Sequence, residues 1–317
     1  MSRNGRGPIF LAGADRSGIG LLGEILETHP EVSMTRRTRF WSDHAGRHGA
    51  LTDTASIDRA LDEMLKAPRM AVLEPDRDRL HAELGGVAPT YPRLFELLQL
   101  QLMEKRGRHR WGDKSLSAEQ YAPEIFAAFP DARMVHVLRD PRDRFASQKH
   151  HRNESRGGVG AGAALWRWSE RLAVANGRRF GDRYRVIRYE DLVTDEEAVL
   201  EDVGRFLELA EPDASGPRGA GLETGSIGRF RRDISTDERR VIELIARRGM
   251  KRRDYRREPT DSTLARTCRF WTVRVPVELT HAALWRAGVW RRHNRTARIP
   301  GRSADRPDQA RRTESRT

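Results

Sequence analysis

A single cysteine, Cys268, among 317 residues excludes an intrachain disulfide and leaves no set of thiols for a cysteine-ligated zinc site. A reducing, cytoplasmic setting is therefore expected. Long hydrophobic runs are also missing: no stretch approaches the roughly 20 apolar residues that a spanning helix needs. Met1–Pro8 is polar and lacks the apolar segment of a signal peptide, so a soluble chain, at most peripheral to a membrane, is expected. The biased composition of a disordered protein is absent except near the end, and there is no internal repeat. The G-x-x-x-x-G-K-[ST] pattern does not occur, which disfavours nucleotide kinases.

Positive charge is abundant. Lys and Arg total 59 against 46 Asp and Glu, a net of +13, and most of the cations are arginine, whose planar fork matches phosphate and sulfate oxygens. An anionic partner follows, though no nucleic-acid module accompanies the charge.

Short apolar runs alternate with amphipathic segments. Pro8–Gly13, Glu31–Met34, Ala132–Leu138 and Tyr184–Ile187 read as strands. Helices are expected from near Ser17 to before His29, over Ser56–Leu65, Pro92–Arg106, Tyr121–Phe129, from Pro141, over Trp166–Asn176, and over Asp195–Leu207 with Thr194 as its cap. The glycine-rich stretch Ser155–Ala164 reads as a mobile loop with the character of a lid. The alternation predicts an α/β, P-loop-like three-layer fold: a central parallel sheet flanked by helices.

Two segments carry the chemistry. Gly13-Ala14-Asp15-Arg16-Ser17-Gly18-Ile19-Gly20-Leu21 lies between the first strand and the first helix, where unpaired amides and the helix dipole favour an anion. In Arg139-Asp140-Pro141-Arg142-Asp143-Arg144-Phe145-Ala146-Ser147, Arg139 ends a strand and Ser147 stands two turns along the next helix, so both can meet one phosphate.

Together these segments resemble the signatures of the sulfotransferases that use 3′-phosphoadenosine 5′-phosphosulfate (PAPS), in particular the bacterial and tyrosylprotein-type branch with arginine in the first motif. Trp111-Gly112-Asp113-Lys114-Ser115, Arg188-Tyr189-Glu190-Asp191-Leu192 and Gly228-Arg229-Phe230-Arg231 resemble three further family segments in the same order. The resemblance implies that the amides of Ser17, Gly18, Ile19, Gly20 and Leu21 hold the 5′-phosphosulfate. It gives Arg16 the leaving bridging oxygen and gives Arg139 and Ser147 the 3′-phosphate, with Arg229 added to that clamp. Tyr189 would lie at the adenine, Lys114 would approach the sulfuryl group, and no metal is required. The implied activity is sulfuryl transfer from PAPS to a hydroxyl or amine of a small molecule, glycan or lipid. The alternative is a catalytically impaired nucleotide-binding or regulatory protein on the same fold. On this reading residues 1–7 form a flexible N-terminus, 8–255 the sulfotransferase domain, 256–300 a basic, aromatic extension able to touch a membrane surface, and 301–317 a disordered tail.

Two departures qualify the resemblance. Ile19 and Gly20 replace two threonines, removing two hydroxyl donors, and Arg37 occupies the place of the glutamate base. An arginine cannot serve as a base near neutral pH. Asp113, His44 and Asp43 remain as candidates, and the sequence identifies neither the acceptor nor the oligomeric state.

Overall fold

The computed structural model describes residues 6–85, 89–150, 158–210, 224–259 and 264–296. The expectations for residues 1–5, 155–157, 260–263 and 297–317 lie outside the described residues.

Five parallel strands run in the order β2-β3-β1-β4-β5, namely β1 Ile9–Ala12, β2 Val32–Arg36, β3 Arg110–Lys114, β4 Arg133–Leu138 and β5 Tyr184–Arg188. Helix α1 (Ile19–Thr28) links β1 to β2; α2 (Thr54–Leu65), α3 (Pro68–Ala71), α4 (Arg77–Leu84) and α5 (Tyr91–Lys105) fill the connection to β3. Then follow α6 (Ala122–Ala128), α7 (Pro141–Lys149), α8 (Gly158–Phe180), α9 (Tyr189–Thr194) and α10 (Glu196–Leu207). Beyond β5 the chain is helical: α11 (Phe230–Asp233), α12 (Thr236–Arg252), α13 (Leu264–Arg269) and α14 (Val275–Thr296). The architecture is the three-layer α/β fold that the alternation predicts.

Parallel strands covered on both faces should be apolar throughout, and β1 is fully buried along its length. Phe10 on one face joins Trp111, Phe95 and Phe129 in an aromatic core, while Ile9 and Leu11 on the other pack with Leu22, Val135 and Val137. Local capping sets several helix starts. Asp53 and Ser56 exchange hydrogen bonds as a capping box at α2, and Ser235 with Glu238 does the same at α12.

One strand was not anticipated, and three expectations need correction. Strand β3 carries Arg110, Asp113 and Lys114 and does not look like a strand, yet all five residues are buried. Gly112 makes this workable: a Cβ there would stand 2.4 Å from Met34 Sδ and 2.9 Å from the Ile9 carbonyl, so the neighbouring strands close over it. The stretch expected to be a loop up to Ala164 is helical from Gly158. Its glycines serve close packing: a Cβ on Gly160 would meet the Glu278 carbonyl at 2.0 Å. Thr194 ends α9, its hydroxyl donating to the Glu190 carbonyl (2.9 Å), and α10 starts after Asp195 without a side-chain cap. Helix α1 begins at Ile19, with Gly18 as its cap residue at φ 100°.

Candidate functional site

The chain leaves β1 toward β2 on one side, while β4 pairs with β1 on the other, so the loops above the carboxyl end of β1 diverge around a crevice. The first mouth of that crevice is the start of α1. No side chain caps this helix and no acidic residue lies in its first turn. The amides of Gly18, Ile19, Gly20 and Leu21 have no acceptor among the described groups, so four donors remain for an anion. The amide of Ser17 is a correction: it donates to the Ala14 carbonyl (3.1 Å) and shapes the loop instead. The Ser17 hydroxyl, fully buried, has no partner.

Arg16 sits in the left-handed region at φ 67°. That backbone turn carries its guanidinium across to α7, where Nε donates to Ser147 Oγ at 3.0 Å. The Ser147 hydroxyl proton stays available for a further acceptor. Arg139, at the end of β4, donates through Nη1 to the Arg16 carbonyl (3.4 Å) and through Nη2 to the Ser226 carbonyl (2.7 Å), while its buried Nε has no partner. Its guanidinium carbon lies 4.3 Å from the centre of the Tyr189 ring. Tyr189 in turn covers the loop: a Cβ on Gly18 would meet the ring at 2.3 Å, and its hydroxyl bonds Ser226 Oγ at 2.8 Å. The helix mouth and the Arg139–Ser147 pair, far apart in sequence, thus share one rim.

Lys114 ends β3 under α1. Its side chain passes Gly23, and Nζ lies 3.8 Å from where a Gly20 Cβ would stand. Burial lowers its pKa, and Arg36 and Arg37 press the same way against the opposing charge of Glu24. Burial also lowers the pKa of Arg16, with Arg139, Arg37 and Arg229 adding to the effect and Asp15 opposing it. Arg37, at φ 57°, donates its amide to the Lys114 carbonyl (2.6 Å), which fixes its backbone at the same edge. Arg229 is partly committed, with Nε on Asp233 at 2.7 Å. The rim holds an excess of positive charge.

Of the candidate bases, Asp113 is tied up in the fold. Asp113 is wholly buried and accepts hydrogen bonds from Thr35 (2.9 Å), Thr38 (2.9 Å) and Ser115 (2.7 Å). Burial raises its pKa while those hydroxyls offset part of the rise. This corrects the expectation of a catalytic Asp113: the carboxylate ties the ends of β2 and β3 together, out of reach of a substrate. Asp43 is paired with Arg39 at 2.7 Å. His44, its pKa lowered by burial and by His48, faces the His48 ring at 3.1 Å. Ile19 turns its side chain into the core with Leu22 and Leu26, so it lines no pocket.

Several residues to which the sequence assigns no role support the site. Arg144 is fully buried and donates to the Asp15 carbonyl (3.1 Å) and the Gly162 carbonyl (2.9 Å), pinning the anion loop to α8; burial pushes its pKa down to about 10. Glu119, also buried, accepts from the Gly13 amide (3.0 Å) and from Ser169 (2.7 Å), which meets His136 at 2.9 Å. Asp143 accepts from the amides of Gly228 (2.7 Å) and Phe230 (2.9 Å), holding the Gly228–Arg231 segment against α7. Glu190 accepts from the Asp140 amide (2.7 Å) and Tyr255 (2.8 Å). Each role shows only once the chain is folded, because at least one partner lies 50 or more residues away.

Similar folds are known. The sulfotransferase domain of the Synechococcus PCC 7002 olefin synthase superposes with a TM-score of 0.48 at 20% identity, covering 78% of this chain and 98% of that one. The sulfotransferase domain from the curacin biosynthetic pathway gives 0.49 at 18% identity, covering 80% and 99%. A mouse sulfotransferase, SULT7A1, complexed with PAP gives 0.41 at 13% identity, covering 78% and 84%. No curated protein matches the chain. The profile of the sulfotransferase family, however, matches residues 8–213, which include the α1 mouth, Lys114, Arg139, Ser147 and Tyr189, and on that match the chain belongs to the sulfotransferase family.

Proposed function

We propose that this protein transfers a sulfuryl group from PAPS to a hydroxyl or amine of an acceptor. The observation that carries the reading is the direct link between the two anion sites: Arg16 of the α1 loop bonds Ser147, and Arg139 bonds the Arg16 backbone. A PAPS molecule carries phosphate at both ends of its ribose, so it needs two such sites on one rim.

The residues fit that ligand. Four free amides at α1 suit the 5′-phosphosulfate, and Gly20 leaves the approach open as far as Lys114 Nζ. The unpartnered Arg139 Nε and the Ser147 hydroxyl suit the 3′-phosphate, and Tyr189 offers a ring face for the adenine. In the reaction the acceptor heteroatom forms a bond to sulfur as the bond from sulfur to the bridging oxygen breaks. That oxygen leaves on adenosine 3′,5′-bisphosphate (PAP), and the acceptor proton passes to water or to a base on the acceptor side, for which His44 and Asp43 remain candidates while the buried Asp113 does not. Arg16 and Lys114 stabilise the charge that gathers on the leaving and equatorial oxygens, the part that a metal ion plays in phosphoryl transfer.

Thermal unfolding with PAP, compared with ADP and ATP, tests the nucleotide half. Saturation at about 100 times Kd stabilises the folded chain by about 2.7 kcal/mol, so PAP should raise Tm by several degrees and ADP and ATP much less. Equal shifts would refute the 3′-phosphate clamp. Turnover of sulfur-labelled PAPS against acceptor panels tests the transfer half. Selective binding without turnover would identify a nucleotide-binding protein instead, a reading favoured by the lost threonine hydroxyls and by Arg37 in the place of a base.

A further inference from the structure

The C-terminal helices bury one face and leave the other apolar. Among the described residues eight large hydrophobic side chains stand exposed, and six of them fall in a short segment: Leu264, Trp271, Val273, Val277, Leu279 and Leu284, each between 46 and 86% exposed. So dense a patch on one helical stretch is not the scattered exposure of an ordinary surface. It cannot be relieved by turning the helix inward, because the inner face is already anchored. Phe270 and Val275 pack with Phe145, Phe230 and Val241. Glu278, nearly fully buried, accepts from the Gly160 amide at 2.8 Å and pairs with Arg274 at 3.1 Å.

The charge around this patch is one-sided. Between Arg274 and Arg286 the only Asp, Glu, Lys or Arg is the inward-facing Glu278. From residue 264 onward the chain holds thirteen arginines against four carboxylates, so most of the net charge of +13 resides there. Five of those arginines, at positions 286, 291, 292, 295 and 298, follow directly on the apolar stretch. Among the described residues no helix is long and apolar enough to cross a bilayer.

We propose that the outer face of α13–α14 is a docking surface for an anionic lipid bilayer, lying in the interface plane with its apolar side chains in the headgroup boundary, while Arg286 and the basic sequence after it supply the attraction to acidic headgroups. An amphipathic helix and a flanking basic cluster act together here: apolar insertion alone is weak, and each basic residue near the surface adds attraction that salt screens. A second copy of the chain is a poor occupant, since it would bring an equally cationic segment onto the same patch. The helix is anchored to α8 beside Gly160, two residues before the Gly162 carbonyl that holds Arg144 and, through it, the anion loop. Docking therefore fixes the sulfuryl-transfer rim relative to the lipid surface, while the docking itself does not depend on the nucleotide assignment.

The test is sedimentation of the full chain with phosphatidylcholine vesicles and with vesicles in which roughly a third of the lipid is phosphatidylglycerol. The chain should pellet with the anionic vesicles, pellet little with phosphatidylcholine alone, and come off as salt rises toward about 0.5 M. Val277→Glu/Leu284→Glu should lower the bound fraction about tenfold or more with Tm unchanged, since both side chains are exposed. Arg291→Glu/Arg292→Glu should do so about as strongly and flatten the salt dependence. Failure to pellet with anionic vesicles at low salt overturns the proposal, as does wild-type binding by both double variants. A dimer in light scattering that Val277→Glu/Leu284→Glu splits would overturn it too, by giving the face to a second copy.

Discussion

Arg16 and Arg139 touch the same rim; the proposed function gives them different tasks, and kinetics should separate them. Arg16 belongs to the loop beside the breaking bond, so Arg16→Ala removes charge stabilisation that matters most in the transition state, and kcat should fall about 10²–10³-fold. On the proposed function, Arg139 grips the end of the nucleotide that does not react. Arg139→Ala should raise the KM for PAPS roughly tenfold to a hundredfold, as expected for a lost charge-assisted bond, with kcat less affected. Steady-state assays of both variants check this; equal losses in kcat and KM for the two would mean the roles are not divided. Gly20 gives a test in the other direction. The space before it is open as far as Lys114 Nζ, so Gly20→Thr can restore one hydroxyl donor at little steric cost. PAP affinity by calorimetry should tighten by about twofold to tenfold. The corresponding change at Ile19 should not help, because that side chain points into the core.

At the scale of elements, the anion loop is held from beneath by Arg144 and Glu119, and their burial decides what their removal does. Arg144→Met strands the Asp15 and Gly162 carbonyls, at a cost of about 1–3 kcal/mol each. It also removes a buried charge whose desolvation already pushes the pKa down to about 10, which offsets part of that loss. Stability by urea unfolding should therefore change by no more than about 2 kcal/mol, while PAP affinity falls at least tenfold as the loop loses its anchor. A large stability loss with unchanged affinity would show that Arg144 serves the core and not the loop. Much of this region was legible in the sequence. The apolar runs of β1 and β4 and the glycine-led turn after β1 located both loops at the rim, because strand, turn and helix signals are local. Strand β3 was not legible as a strand, since its burial depends on β1 and β2 closing over Gly112. The glycines at 158, 160 and 162 read as flexibility when their purpose is to let α14 and Arg144 approach α8. The sequence assigns no role to Arg144 or Glu119 for the same reason: only the tertiary fold buries them.

For the whole molecule, the network behind the sheet makes stability depend on pH, and the sign can be worked out. His136 lies fully buried between Tyr184 (2.7 Å) and Ser169 (2.9 Å), and burial drops its pKa to about 3. In the unfolded chain the same ring titrates near 6.5. Between those values the unfolded state binds a proton that the folded state does not, so His136 contributes full stability above about pH 6.5 and loses it as pH falls toward 3. Near pH 5 the loss is about 2 kcal/mol. Asp113, Glu119 and Glu190 act with opposite sign, because burial raises their pKa values and protonation on the way down relieves an unfavourable buried charge. The raw pH profile thus mixes both effects, and only a difference isolates the histidine. His136→Gln keeps a polar group between Tyr184 and Ser169 but cannot titrate. The stability gap between the wild type and this variant, measured by denaturant unfolding, should shrink by about 2 kcal/mol from neutral pH to near pH 5. Parallel profiles for the two proteins would mean that the His136 ring accepts a proton in the folded state as readily as in the unfolded one.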